Sequence, residues 1–395
     1  MTAPLPEDAP LGIYLHIPFC TRICPYCDFN TYAHQEQLIP DYVEALVGEL
    51  DLTRREIGPR PAQTIYFGGG TPSLLTPDQI ARLVDAVRAR FPLPDAAEVS
   101  LEANPETIDA ATLRGFRQAG VNRISLGVQT QQRAGLKVLG RGHRPDVTER
   151  ALAAARAVGL DNFSVDFIFG WPGQTLDDWE RDLDSILAWQ PEHLSLYSLI
   201  VEPGTPYERA VRRGILIPPD DDATADMYER AIARLAAAGW QHYEVSNWAR
   251  EPRFASAHNL VYWRNGHYLG LGAGAHAHLG NTRSSNVRLP AAYMRAVRDG
   301  RLPVAEREVL DAATVMGETM MLGLRLPGEG VSAVAFAARH GRRLEDVYGS
   351  EIEDLVRLGL VDWDGSRVQL TARGLMVANV VEERFLPHVA PATGR

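Results

Sequence analysis

The chain has 395 residues, 45% of them apolar, and a formal net charge of −10, enough for one large core and a smaller appended unit. The acidic balance and the lack of any run of basic residues exclude nucleic acid as the expected partner. No stretch approaches the ~18 apolar residues of a membrane span, Met1 to Pro10 lacks a leader pattern, and three clustered cysteines cannot staple a secreted fold, so a reducing cytoplasm is expected. Lys137 is the only lysine, which leaves Schiff-base chemistry without a supported nucleophile.

The first strand-like run, 12–19, leads directly into Cys20-Thr-Arg-Ile-Cys24-Pro-Tyr-Cys27. Three thiolates hold three corners of a 4Fe-4S cube and leave the fourth iron open to a small ligand, whereas electron-transfer clusters are closed by four. A zinc site completed by His16 or His34 is the alternative, although zinc ligands usually come as spaced Cys-x2-Cys pairs. After the next run, 63–67, comes Gly68-Gly-Gly-Thr-Pro72, where backbone N–H groups can approach a ligand closely. It has neither the P-loop ending nor the dinucleotide spacing.

A helix is predicted over 77–90, with Thr76 as N-cap and Pro77 at its first position. Further strand-like runs at 98–102, 123–128, 162–167, 193–197 and 241–245 alternate with amphipathic stretches. Gly120, Gly159 and Gly239 stand where left-handed helix caps are needed. Repeated β-α units from 12 to about 246 predict an α/β fold, a partial or complete β/α barrel of TIM type with its site at the C-terminal strand ends. Glu102, Gln129, Arg141 and Asp166 fall at such ends; a salt bridge or a satisfied core polar group is the alternative for each.

Residues 247–305 read as a connecting segment containing the glycine- and histidine-rich stretch 266–280. From 306 to 395 the pattern becomes helices followed by a hairpin with an Asp364-Gly365 turn, resembling a winged helix. This tail carries 10 Arg against 14 Asp or Glu, which disfavours the DNA-binding use of that shape and suits packing over the barrel, 1–246.

Cys-x3-Cys-x2-Cys resembles the signature of the radical S-adenosylmethionine (SAM) family. The resemblance implies SAM chelating the open iron through its amino and carboxylate groups, then cleavage to a 5'-deoxyadenosyl radical that the protein positions. Tyr14-Leu-His-Ile-Pro-Phe-Cys20, Gly68 to Pro72, Gly127-Val-Gln129 and Asp166 to Gly173 are similar to the oxygen-independent coproporphyrinogen III oxidase group. In that likeness Tyr14, Tyr26, Gly69 and Glu102 line the cluster-bound SAM, and Gly70, Thr71, Gln129, Arg141 and Asp166 match positions for a second SAM. Carboxylates suit ribose hydroxyls and an ammonium, while Arg141 suits a carboxylate.

One branch of the group, the oxidase, usually has a fourth cysteine two residues after the third and an N-terminal extension; here Phe29 takes that position and 19 residues precede Cys20. The other, the heme chaperones, carries His-Asn-x-x-Tyr-Trp, matched by His258-Asn259-Leu-Val-Tyr262-Trp263. An imidazole there can ligate or flank heme iron, with Tyr262 and Trp263 as flat faces for a porphyrin. A histidine satisfied within the core is the alternative. The resemblance implies a cytoplasmic carrier of heme that passes it to respiratory-chain proteins, at a membrane surface and as a homodimer. Oxidative decarboxylation of coproporphyrinogen III is the rival expectation, and a radical methyltransferase or heme-degrading relative is a third.

Overall fold

The computed structural model describes residues 9–387; residues 1–8, most of the segment Met1 to Pro10 read above for a leader pattern, lie outside it. Among the described residues, six parallel strands form the core of a twelve-stranded sheet. They are β1 (Leu11–Ile17), β2 (Ala62–Gly69), β3 (Glu98–Ala103), β4 (Arg123–Gln129), β5 (Phe163–Phe169) and β6 (His193–Ser198), adjacent in chain order. Their outward residues, such as Ile13, Ile65, Val99, Ile124, Val165 and Leu194, are fully buried beneath the crossover helices, as a parallel sheet requires. The sheet curls but does not close, a partial barrel of β/α units.

The helices begin and end for local reasons. Thr76 caps Pro77–Arg88 in a capping box with Gln79. Gly120, Gly159 and Gly239 sit at φ of 99°, 73° and 82° after their helices, conformations that cost a side-chain-bearing residue.

The run at 241–245, expected as another parallel unit, behaves differently. β7 (Gln241–Glu244) pairs antiparallel with β8 (Asn247–Ala249), which pairs antiparallel with β6 at the sheet edge. Two residues between β7 and β8 leave no room for a crossover, so the chain turns back. The stretch 247–305 supplies β9 (His267–Leu271), parallel to β1, then β10 (His276–Leu279) and β11 (Thr282–Asn286). β12 (Val304–Val309) completes that antiparallel flank.

A separate apolar cluster holds the C-terminal part, with Met320, Leu324, Phe336, Leu344, Ile352, Val368 and Phe385 at its centre. Three helices, Ala312–Leu324, Ala333–His340 and Leu344–Arg357, pack on a small sheet of β13 (Val331–Ser332), β14 (Val361–Trp363) and β15 (Arg367–Leu370). β14 and β15 form the expected hairpin, with Gly365 at φ 86° in its turn.

Candidate functional site: a cysteine loop, two cavities and a buried histidine

Period-two alternation sends the inner-face residues of the parallel strands into the bore. Register places Tyr14 opposite Tyr66, Glu102 opposite Ser125, Gly127 opposite Asp166, and Asp166 opposite Ser195. A cavity of about 470 Å³ opens at the C-terminal strand ends. Its walls bring together Cys20, Cys24, Cys27, Tyr26, Gly69, Gly70, Thr71, Glu102, Gln129, Arg141 and Asp166, joined by Asn259 from far along the chain.

The cysteine loop is held by its neighbours. The Cys27 amide donates to the Cys24 carbonyl (3.1 Å), and the Tyr207 amide to the Pro25 carbonyl (3.0 Å). The Thr71 hydroxyl points at Cys20 Sγ (3.5 Å) and Arg141 Nη1 at Cys24 Sγ (3.7 Å). Arg141 Nη2 also donates to Asn104 Oδ1 (2.5 Å) and to the Gly127 carbonyl (2.8 Å), and Asn104 donates to Thr71 (3.2 Å). Cys20, Thr71, Asn104, Arg141 and Cys24 thus form one hydrogen-bonded arc. Gly70 is required by close approach: a Cβ there would lie 2.7 Å from the Phe19 carbonyl oxygen and 2.9 Å from Cys20 Sγ.

The donor set suits a 4Fe-4S cluster: three thiols line one cavity, and N–H and O–H groups aim at two of the sulfurs, as outer-shell partners of a thiolate-bound cluster do. Burial pushes the Cys27 thiol up to about 11, so iron binding there would have to displace its proton. Zinc is not supported. His16 spends both ring nitrogens, accepting from the Tyr14 hydroxyl (2.9 Å) and donating to the Asn30 carbonyl (3.0 Å). Among the described residues no three His, Cys, Asp or Glu side chains converge on a single-ion site.

The carboxylates are strongly tuned. Glu102 accepts from the Tyr66 hydroxyl (2.8 Å) and the Gly69 amide (3.0 Å), yet burial pushes its carboxyl up to about 7. Asp166 is also raised by burial, against hydrogen bonds from Ser125 (2.9 and 2.8 Å) and Ser164 (3.1 Å). Ser164 continues the chain to His193 (2.8 Å), and His193 to Tyr243 (2.8 Å). Gln129 stands at φ 69° beside an irregularity in the β4–β5 pairing, which turns its side chain into the cavity. Asn104, Ser125, Ser195 and His193 were missed in the sequence. The signal was there: Arg123, Ser125, Gly127 and Gln129, Ser164 and Asp166, and His193 and Ser195 alternate with apolar residues, out of keeping with a doubly buried strand.

Tyr14 is placed apart from the first cavity. It lines a second one of about 840 Å³, together with Tyr262, Trp263, Tyr268, His276 and His278. The two cavities share Asp28, Phe29, Gly69 and Glu102 as a common wall. Phe29, where a fourth cysteine would stand, is 64% exposed at that wall.

His258 lines neither cavity. It belongs to the short helix Ala257–Trp263, capped by Ser256, whose Ala257 and His258 amides both donate to the Glu98 carboxylate (3.0 Å each). Its ring is 1% exposed, with Nδ1 on the Thr64 hydroxyl (2.7 Å) and Nε2 on the Tyr262 hydroxyl (2.8 Å), stacked on Tyr66. Burial alone lowers its pKa to about 3. In this arrangement neither nitrogen is free for iron, and the imidazole acts as a strut beneath Tyr14, Tyr66 and Tyr262.

Comparison with known proteins agrees with this geometry. The family model described as the Radical SAM superfamily matches residues 14–186, and that described as the HemN C-terminal domain matches 310–377. The solved coproporphyrinogen III oxidase (HemN) of Escherichia coli superposes with a TM-score of 0.83 at 24% identity, covering 96% of this chain and 90% of that one, a likeness of fold. The heme chaperone HemW of Bacillus subtilis (strain 168) is 39% identical over 94% of this chain and 98% of its own length. That of Mycobacterium tuberculosis (strain H37Rv) is 41% identical over 97% and 96%. Radical SAM membership brings with it a 4Fe-4S cluster and SAM. On identity sustained along nearly the whole length of such relatives, the chain belongs to the HemW family within the radical SAM superfamily.

Proposed function

We propose that this protein is a heme carrier that takes up heme and passes it to heme-accepting proteins of the respiratory chain, with the SAM-liganded 4Fe-4S centre serving that transfer. The observation that carries the reading is the pair of adjoining cavities. One is lined by the three cysteines and the polar SAM-type residues, and the other, larger one by aromatic rings and imidazoles. The second lies in the range that holds cofactor-sized ligands, and its chemistry suits a flat, apolar macrocycle with a metal centre. The names of the similar HemW relatives support the same function.

When bound, the cluster and SAM supply one-electron chemistry. Cys20, Cys24 and Cys27 hold the iron, Glu102 and the Gly69 backbone suit the ammonium of SAM, and Arg141 suits its carboxylate. Gln129, Arg141 and Asp166 on the same walls favour the oxidase as a second reading, since they match positions for a second SAM; Phe29 in place of a fourth cysteine weighs against it. Delivery at a membrane surface and a homodimeric state complete the proposal. No helix among the described residues is long and apolar enough to cross a membrane, and Ile215 and Ile217, 74% and 81% exposed, offer an apolar contact.

The test is transfer from the heme-loaded, cluster-reconstituted protein to a heme-free respiratory cytochrome, followed by the acceptor's absorbance. Transfer faster than from free hemin is expected. SAM-dependent conversion of coproporphyrinogen III to protoporphyrinogen IX in the same preparation would instead establish the oxidase.

A further inference from the structure

We propose that the second cavity seats the heme and that His276 is the axial ligand to its iron, with Tyr262, Trp263 and Tyr268 against the porphyrin and Arg288 at its carboxylates. The assignment rests on the heme-carrier reading above and gives that function a ligand outside the His258 to Trp263 string.

It follows from which nitrogens remain available. Three imidazoles line the cavity: His16, His276 and His278. His16 is buried and uses both nitrogens, on Tyr14 and on the Asn30 carbonyl. His278 has an Nε2 with no hydrogen-bond partner, but that nitrogen is closed off by burial, its ring packed edge-on against Tyr268 and His267. His258, behind the wall, is closed by Thr64 and Tyr262. His276 is the exposed one.

Its backbone is held rigidly. β10 crosses β9 so tightly that a Cβ at Gly270 would lie 1.9 Å from the His276 carbonyl oxygen, which fixes where the side chain starts. Aromatic rings line the same cavity: Tyr262 and Tyr268 meet edge-on with centroids 4.7 Å apart, and the Arg325 guanidinium lies over the Trp263 ring (4.5 Å). Of the two arginines lining the cavity, Arg283 is paired with Glu318 (2.6 Å), whereas Arg288 is exposed and makes only a 3.3 Å contact from Nε to Asn30 among side chains. That leaves its two terminal nitrogens for a carboxylate. The bond proposed is a lone pair of the His276 ring given to iron, with no change of oxidation state.

Full-length protein with its cluster reconstituted is titrated with hemin, and the Soret band and the resonance Raman axial-ligand signature are recorded. Saturable binding with a histidine-ligated spectrum is expected for the natural chain. His276→Ala is expected to weaken binding by about tenfold or more and to lose that signature, and added imidazole is expected to restore it. His278→Ala is expected to retain it. An unchanged spectrum and affinity in His276→Ala, with binding intact in the natural chain, overturns the ligand assignment alone. No saturable binding by the natural chain overturns the heme-carrier reading with it.

Discussion

Glu49 shows how much one buried carboxyl organises. It sits in the helix Ile39–Ile57 at 3% exposure and accepts from the Gly272 amide (2.7 Å), Asn286 Nδ2 (2.6 Å) and the Tyr293 hydroxyl (2.7 Å). It therefore ties the flank that carries His276 to the first barrel helix. Burial outweighs these bonds and pushes its carboxyl up to about 7. A carboxyl whose folded pKa exceeds its unfolded value stabilises the fold fully below the unfolded pKa, and that contribution is lost as pH rises through the folded one. Between about pH 4.5 and 7 the natural chain is expected to lose roughly 3 kcal/mol relative to Glu49→Gln. Denaturant unfolding of both across that range is the check, and a difference that stays flat with pH contradicts it. Neither Glu49 nor His258 was legible as a strut in the sequence, because burial and the identity of the facing donors depend on segments more than 190 residues apart.

At the level of elements, the helix Ala257–Trp263 closes the bore from below and presents Tyr262 and Trp263 to the second cavity. His258→Ala removes a ring that satisfies Thr64 and Tyr262 and fills the space beside Gly12. The expected cost is about 2–4 kcal/mol from the unpaired hydroxyls and the void, measured as a lowered unfolding midpoint. Wild-type stability in that variant contradicts the strut. Loss of heme in His258→Ala then reads as displaced Tyr262, not as a lost iron ligand. Much of this architecture is visible in the sequence. β-Branched runs separated by amphipathic stretches mark β1 to β6, Thr76-Pro77 marks a helix start, and Asp364-Gly365 marks the hairpin. What escaped has a physical cause. β9 is five residues with a glycine inside, and it is a strand only because β1, about 250 residues earlier, offers it an edge. The antiparallel sense of β7 depends on β8 and β6. Local propensity is silent on both.

The whole molecule places two chemistries back to back. Cysteines, Arg141 and carboxylates surround one cavity, aromatic and imidazole groups the other, and the strip of Gly69 and Glu102 separates them. The three cysteines alone name a cofactor shared by many reactions. Under the proposed function, the larger cavity beyond that strip is what sets a carrier apart from a decarboxylase. The most direct test of that distinction is a hemin titration of the cluster-reconstituted full-length protein followed at the Soret band. Saturation at one heme per chain is expected; a trace that rises without saturating, as for hemin adsorbed to any protein surface, contradicts it.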